Sequence, residues 1–165
     1  MRTKMASKGM TYAIVGVIII IVAVGGYYVW TTMQAQPGGG GGGGGGNPVA
    51  VTIYGGEVSS SVYGWSMTST GLKSPGPTLN MTVGTSYTVT FKNVGSFPHA
   101  WAVKQTNDPN AATVWGAAVG SSSAPISPNG SGSVTFTPTA AGTYYYLCPV
   151  PGHDTLGMYG IIKVS

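Results

Sequence analysis

Three residue types that bind soft metal ions lie close together in the segment CPVPGHDTLGM, residues 148–158. Four residues separate Cys148 from His153, and four more separate His153 from Met158. A thiolate, imidazoles and a thioether are the ligand set of a mononuclear copper centre, in which two histidines and one cysteine form a plane and a methionine binds axially. Considered singly, a buried Cys or Met is more often structural than ligating. The segment alone therefore leaves open whether it is a metal site or a turn.

The second imidazole ligand of such a centre can come from one other residue only, because the chain has two histidines in all. The other is His99, in the stretch SFPHAWAV, where a predicted turn leads into a predicted strand. Both histidines and the single cysteine thus stand at plausible ligand positions. Together with the spacing of the segment 148–158, this favours one copper site over three unrelated structural residues.

The same counts exclude several other classes of protein. A single cysteine excludes an intramolecular disulfide and any zinc or iron–sulfur site built from several thiolates. It also excludes a binuclear copper centre of the oxidase subunit II type, which needs two cysteines. Catalytic copper proteins bind further copper ions through additional histidine-rich motifs, and this chain has no third histidine. We therefore expect no enzyme and no small-molecule substrate.

The residues that surround these candidates indicate an all-β domain. Short segments rich in β-branched and aromatic residues predict strands at 49–54, 79–84, 86–93, 99–104, 131–138, 142–148 and 158–164. With the turn residues between them, they predict an antiparallel Greek-key sandwich or barrel. Residues 105–128 read as a long excursion over one face, and Trp101 and Trp115 as core or anchoring residues. Cys148 would end one strand, His153 would lie in the following loop, and Met158 would begin the next strand.

The composition divides the chain into four parts. Residues 1–9 are basic, and residues 10–32 contain an uncharged run long enough to cross a bilayer as a single helix. Residues 33–48 include nine consecutive glycines and read as a flexible tether, and residues 49–165 form the predicted domain. A cleaved signal peptide is the alternative to the anchor, but the apolar run is long and no clear small-x-small cleavage site follows it.

The distribution of charge predicts an orientation and argues against nucleic-acid binding. The net charge is +4, and Arg2, Lys4 and Lys8 contribute most of it. Basic residues before a span stay in the cytoplasm, so the domain would lie outside the cell. Beyond residue 49 the charge is nearly balanced, and no basic stripe is present to follow phosphates. The domain has three carboxylates, Glu57, Asp108 and Asp154, so it has little charge-dependent stability to lose in acid.

Two long stretches resemble the type 1 blue copper proteins of the cupredoxin family. PGPTLNMTVGTSYTVTFKNVGSFPHAWAV, residues 75–103, is similar to the segment that leads to the first histidine of that family. GTYYYLCPVPGHDTLGMYGIIKV, residues 142–164, is similar to its copper loop and last strand. The spacing within the loop is rusticyanin-like. With the anchor and the glycine tether, the layout resembles the sulfocyanins, membrane-bound blue copper proteins of acidophilic archaeal respiratory chains.

This resemblance implies one copper ion with His99, Cys148 and His153 as equatorial ligands and Met158 as the axial ligand. It also implies that backbone N–H groups of Ala100 and Val150 donate to the thiolate sulfur. Many cupredoxins place a polar side chain after the first histidine to brace the loop, and Ala100 cannot do this.

The resemblance further implies an electron-transfer role on the outer face of the membrane. Single electrons would pass between respiratory-chain complexes, such as a terminal oxidase or a cytochrome complex, at a relatively high potential. The electron port would be the edge of His153, ringed by the apolar residues Val150, Pro151 and Leu156. A copper-delivery protein and a β-sandwich without redox function are the alternatives.

Overall fold

A computed structural model of the chain describes residues 46–165, which contain nine β-strands and no helix. The all-β class predicted from the sequence is confirmed for this part of the chain. The strands are β1 (Val49–Ser59), β2 (Val62–Ser66), β3 (Leu79–Met81), β4 (Tyr87–Asn93), β5 (Trp101–Lys104), β6 (Thr113–Val119), β7 (Ser131–Phe136), β8 (Gly142–Leu147) and β9 (Tyr159–Val164).

The strands form two sheets, in the orders β2-β1-β4-β7 and β3-β9-β8-β5-β6. Neighbours pair antiparallel except in two places, where β1 pairs with β4 and β3 pairs with β9 in parallel. The prediction of a purely antiparallel sandwich is therefore wrong. Parallel neighbours need a long crossover, and here the chain between β1 and β4 includes β2 and β3, the latter in the other sheet.

Strands β2 and β6 were not predicted from the sequence. Strand β6 corrects the prediction that residues 105–128 are a long excursion over one face. Strand β6 lies in the middle of that segment and pairs antiparallel with β5, placing Val119 opposite Trp101. In its sequence, TVWGAAV, a glycine and two alanines interrupt the strand-forming residues, and Trp115 and Gly116 have φ angles of 55° and 65°, which are unusual in a strand. The pairing with β5 outweighs the weak local preference, as is common in sheets.

The core between the sheets is rich in aromatic residues. Trp65, Trp101 and Tyr146 are fully buried, and every second residue of β4, from Tyr87 to Asn93, is buried. Trp115 is partly buried and stacks on Phe136 with a centroid separation of 6.0 Å. The prediction that Trp101 and Trp115 are core or anchoring residues is confirmed. Each such buried side chain contributes about 1.5–3 kcal/mol through removal of apolar area from water.

The proposed anchor at 10–32 and nearly all of the tether at 33–48 lie outside the described residues. Within residues 46–165, no helix has the length and apolar character needed to cross a membrane.

Candidate metal centre

The pairing of β8 with β9 places Cys148 and Met158 side by side. Leu147, the last residue of β8, lies opposite Tyr159, the first residue of β9. One step beyond each strand end, the Cys148 N–H donates to the Met158 carbonyl at 3.1 Å. A thiol and a thioether that are ten residues apart in sequence thus become cross-strand neighbours. The sequence prediction of Cys at a strand end and Met at the start of the next strand holds to within one residue.

The connecting loop is a series of tight turns that returns His153 towards these two residues. The His153 N–H donates to the Val150 carbonyl at 3.2 Å, and the Met158 N–H donates to the His153 carbonyl at 3.0 Å. Gly157 has a φ of 90°, and a Cβ there would lie 2.0 Å from the Ser74 Oγ. Glycine is required at this position because it tolerates the left-handed conformation and leaves room for Ser74.

His99 approaches from the segment between β4 and β5, and four hydrogen bonds fix the position of this segment. Its N–H and carbonyl exchange hydrogen bonds with Ile126 at 3.1 and 2.8 Å. The Asn93 Nδ2 group donates to the carbonyls of Phe97 and Ile126 at 2.8 and 2.9 Å. Asn93 is almost fully buried, so this amide ties the turn before His99 to the interior.

Three donor atoms meet where these segments converge. The Nδ1 atoms of His99 and His153 are 3.0 Å apart, and His153 Nδ1 is 3.4 Å from Cys148 Sγ. The donor atoms of all three residues lie within 4.8 Å of one another. His99 and Cys148 are fully buried, and His153 is half-buried. The structure therefore brings together the three residues that the sequence predicted as equatorial ligands.

Met158, the predicted axial ligand, is fully buried beside this cluster. A Cβ on Gly55 would lie 2.9 Å from Met158 Cε and 2.6 Å from the ring of Trp65. The Met158 side chain is thus confined between β1 and the aromatic core. Its methyl end cannot move towards β1, which holds the thioether in place.

Burial and two backbone groups control the state of the thiol. Burial raises the pKa of Cys148 to about 11, although N–H groups of Ala100 and Val150 favour the thiolate. The Ala100 N–H donates to Sγ, with 3.3 Å between nitrogen and sulfur. Ala100 and Val150 are the two donors that the family resemblance implies, and the hydrogen bond from Ala100 is present. Since the thiolate is the form that binds metal, metal binding at this site displaces a proton.

Both imidazoles are neutral at neutral pH and so offer lone pairs. Burial lowers the pKa of His153 to about 4, with a further decrease from the neighbouring His99. Burial also lowers the pKa of His99, against the opposing effect of Glu57. Two neutral imidazoles, a thiolate and a thioether, with no carboxylate among them, suit copper better than calcium, magnesium or manganese. The residues present therefore fit a type 1 copper ion.

Two residues of β1 and β2 touch the imidazoles and were not predicted as site residues. Glu57 Oε1 is 3.3 Å from His99 Nε2. The Tyr63 ring lies edge-on to His99 at a centroid separation of 5.3 Å and packs on His153 at 4.6 Å. The sequence offered one signal for Glu57, which is a lone carboxylate in an otherwise uncharged strand. It offered none for Tyr63, one of ten tyrosines.

The surface beside His153 is apolar. Leu156 and Pro151 are exposed, Leu156 to the extent of 37%, and Val150 is half-buried. Phe97, which the sequence did not single out, is exposed to the extent of 54% and contacts Tyr63 at a centroid separation of 6.4 Å. The apolar surroundings predicted for His153 are therefore present, and they extend to Phe97.

The chain is similar to known copper proteins in sequence and in structure. A family profile described as copper binding proteins of the plastocyanin/azurin family matches residues 77–165. Rusticyanin of Acidithiobacillus ferrooxidans is 35% identical over 95 residues, which cover 54% of this chain and 61% of the relative. Auracyanin-B of Chloroflexus aurantiacus is 54% identical over 35 residues, covering 21% of this chain and 15% of the relative.

The chain thus spans about three fifths or less of the length of these curated relatives. A solved structure of rusticyanin from Thiobacillus ferrooxidans matches with a TM-score of 0.57 and 28% identity, covering 84% of this chain and 92% of that one. Strands β1 and β2, which carry Glu57 and Tyr63, lie outside the stretch that the family profile matches.

Proposed function

This chain belongs to the plastocyanin/azurin family of copper binding proteins, and from that premise we propose that it is a type 1 blue copper protein that carries single electrons between redox proteins. The observation that supports this function is the convergence of His99 Nδ1, His153 Nδ1 and Cys148 Sγ within 4.8 Å. Bound copper supplies a one-electron couple between its cupric and cuprous states. The protein is a carrier and not an enzyme.

In this proposal His99 and His153 would bind the copper ion through their imidazoles, Cys148 through its thiolate and Met158 through its thioether. Strand pairing, the turns of the loop and the buried core position these residues. The Ala100 N–H donates to the sulfur, and the Val150 N–H also favours the thiolate. A ligand set that moves little between the two oxidation states keeps the reorganisation energy small.

Burial also favours a relatively high reduction potential. The site is surrounded by apolar core residues, and such surroundings favour the cuprous state because it carries less charge. Full burial of Cys148 and Met158 also supports retention of the metal, which suits a carrier better than a copper-delivery protein.

We place the electron port at the partly exposed edge of His153. Val150, Pro151 and Leu156 supply apolar surface in the same loop, with Asp154 as the one charged side chain of residues 148–158. Such a surface suits brief contact with a partner that presents a similar apolar patch. Docking should therefore depend weakly on salt, since few charges are brought together.

A redox titration tests the electron-transfer role. The copper-loaded full chain, purified in detergent, should be bleached by one electron equivalent for each copper ion and should regain its spectrum on reoxidation. Repeated cycles should leave the spectrum unchanged. Loss of copper on reduction would contradict a carrier and would favour the delivery role.

The remaining parts of the chain support a membrane-bound form of this carrier. We propose that residues 1–9 lie in the cytoplasm, residues 10–32 cross the membrane, residues 33–48 are a tether and residues 49–165 are the copper domain outside the cell. The uncharged run and the basic residues before it support this arrangement. With this layout we assign the chain to the sulfocyanins, with a terminal oxidase or a cytochrome complex of a respiratory chain as its partner.

Cell fractionation tests the anchor. The full chain should stay with membranes after alkaline carbonate washing, and protease added to intact cells should remove residues 49–165. A variant without residues 10–32 should be recovered in the soluble fraction. Recovery of a shortened chain in the medium would show that the N-terminal segment is a cleaved signal peptide.

A further inference from the structure

The carboxylate of Glu57 is the meeting point of three hydrogen bonds beside the metal centre. Its Oε2 accepts from the Ser96 N–H at 2.8 Å, and its Oε1 accepts from the Phe97 N–H at 3.2 Å. The same Oε1 lies 3.3 Å from His99 Nε2. One side chain of β1 therefore contacts both the turn before His99 and the ring of His99 itself.

Gly56 and Gly95 allow β1 and the turn before His99 to come close enough for these hydrogen bonds to form. A Cβ on Gly56 would lie 2.8 Å from the backbone of Gly95, and a Cβ on Gly95 would lie 2.6 Å from Glu57 Oε2. A side chain at either position would push the turn away from β1. The Asn93 side chain accepts the Gly95 N–H at 2.9 Å and holds the turn from the opposite side.

The geometry decides which nitrogen of His99 carries its proton. Nδ1 faces His153 and Cys148, whereas Nε2 faces the carboxylate. A carboxylate only accepts hydrogen bonds, so the proton lies on Nε2 and the lone pair of Nδ1 points into the metal centre. A carboxylate bound to the distal nitrogen of a metal-ligating histidine fixes its tautomer and orientation and makes the ring a stronger donor.

We propose that Glu57 is the positioning residue of this copper site, holding His99 in the Nε2–H tautomer and stabilising the cupric state. This rests on the proposed function, since it assigns His99 as a ligand. Ala100 offers no polar side chain beside His99, and Glu57 braces His99 and the turn before it instead. It does so from β1, a strand outside the stretch matched by the family profile.

The oxidation states should respond differently to loss of this contact. A stronger imidazole donor favours the more highly charged cupric ion over the cuprous ion. Removing the negative charge should therefore weaken cupric binding more than cuprous binding, and the reduction potential should rise. Loss of such a partner typically lowers metal affinity about 10–100-fold, which is the range expected here for the cupric ion.

The test compares Glu57→Gln with Asp108→Asn in the full chain. Glu57→Gln keeps the size of the side chain and removes its charge. Asp108→Asn removes the same charge from a carboxylate that bonds only the nearby Asn110 N–H among the described residues. Cupric and cuprous affinities are measured by competition with chelators, and potentials by spectroelectrochemistry. Glu57→Gln should bind cupric ion about 10–100-fold more weakly at a raised potential, and Asp108→Asn should match the wild type.

A second measurement needs no variant and therefore does not depend on folding of Glu57→Gln. Nitrogen-15 spectra of the cuprous wild-type protein should show His99 protonated at Nε2, with the metal on Nδ1. Equal cupric affinities of Glu57→Gln and the wild type, or a His99 ring with the metal on Nε2, would overturn the assignment. Neither result would affect the proposed function, which fails only if the wild-type protein does not form a blue copper site.

Discussion

The copper loop (residues 148–158) and the N-terminal hairpin (β1 and β2, residues 49–66) act on the same metal centre in different ways. The loop carries three of the four proposed ligands, and backbone hydrogen bonds within the loop fix its conformation. The hairpin carries no proposed ligand, yet Glu57 contacts His99 and Tyr63 contacts both histidines. One region supplies the donor atoms and the other orients them, so mutations in the two regions should have different effects.

The largest effect should come from removing a ligand in the loop. His153→Ala deletes one of three equatorial donors, so cupric affinity should fall by more than the ~10–100-fold typical of an outer partner. The intense visible band should be lost. Competition with a chelator and a visible spectrum measure the two effects. If His153→Ala kept both the affinity and the band, the loop would not be the source of the ligands.

Overpacking the hairpin should give the next largest effect, mainly on stability. In Gly55→Val, the new side chain collides with Trp65 and Met158, which should cost about 1–3 kcal/mol in the free energy of unfolding. Denaturant unfolding measures this, and the visible spectrum should shift because Met158 is displaced.

The matched control is Ala50→Val, at an exposed position of the same strand. It should change the free energy of unfolding by no more than about 0.5 kcal/mol. Equal stabilities of the two variants would show that β1 does not confine Met158.

A smaller effect should follow from removing the aromatic ring that packs on the histidines. Tyr63→Leu should lower the free energy of unfolding by about 0.5–1.5 kcal/mol beyond the loss of buried area, because two ring contacts disappear. The protein should remain blue. Tyr145→Leu, at a half-buried position of β8, provides the comparison, since among the described contacts its ring touches neither imidazole. A colourless Tyr63→Leu protein would show that the hairpin supplies more than orientation.

Acid should act on the domain through its histidines more than through its carboxylates. Burial raises the pKa of Glu57, but hydrogen bonds from Ser96, Phe97 and His99 outweigh this and lower it. Stability from a carboxylate with a lowered pKa is present above its unfolded value and is lost only as the pH falls through the folded one. Burial lowers the pKa of His99 and lowers that of His153 to about 4, so below about pH 6.5 the unfolded chain binds more protons than the folded one, and the midpoint of thermal unfolding should fall from pH 7 to pH 4. A midpoint that stays constant over this range would contradict buried, neutral imidazoles.

The two regions also differ in how far the sequence predicts them. Cys148, His153 and Met158 were identified because their types are rare in this chain and their spacing is local. Strands β8 and β9 were predicted because they are rich in Tyr, Ile and Val. Such features depend on residue type and short-range geometry, which a sequence displays directly.

Glu57 and Tyr63 were missed for the opposite reason. Glu57 meets Phe97 and His99 about 40 residues further on, and Tyr63 meets His153 across the two sheets. These contacts depend on the parallel pairing of β1 with β4, which no local pattern indicates. Strand β6 was missed because Gly116 and two alanines interrupt its strand-forming residues, and its pairing with β5 becomes visible only in the fold.

The visible spectrum of the copper-loaded full chain, recorded beside that of Cys148→Ser, tests the central claim most directly. Serine keeps the shape of the side chain and removes the soft sulfur donor on which a blue copper site depends. The wild type should show an intense band near ~600 nm, characteristic of a copper–thiolate bond, and this band should be absent from Cys148→Ser. A colourless cupric wild-type protein, or a band that survives in Cys148→Ser, would rule out a type 1 copper site at Cys148.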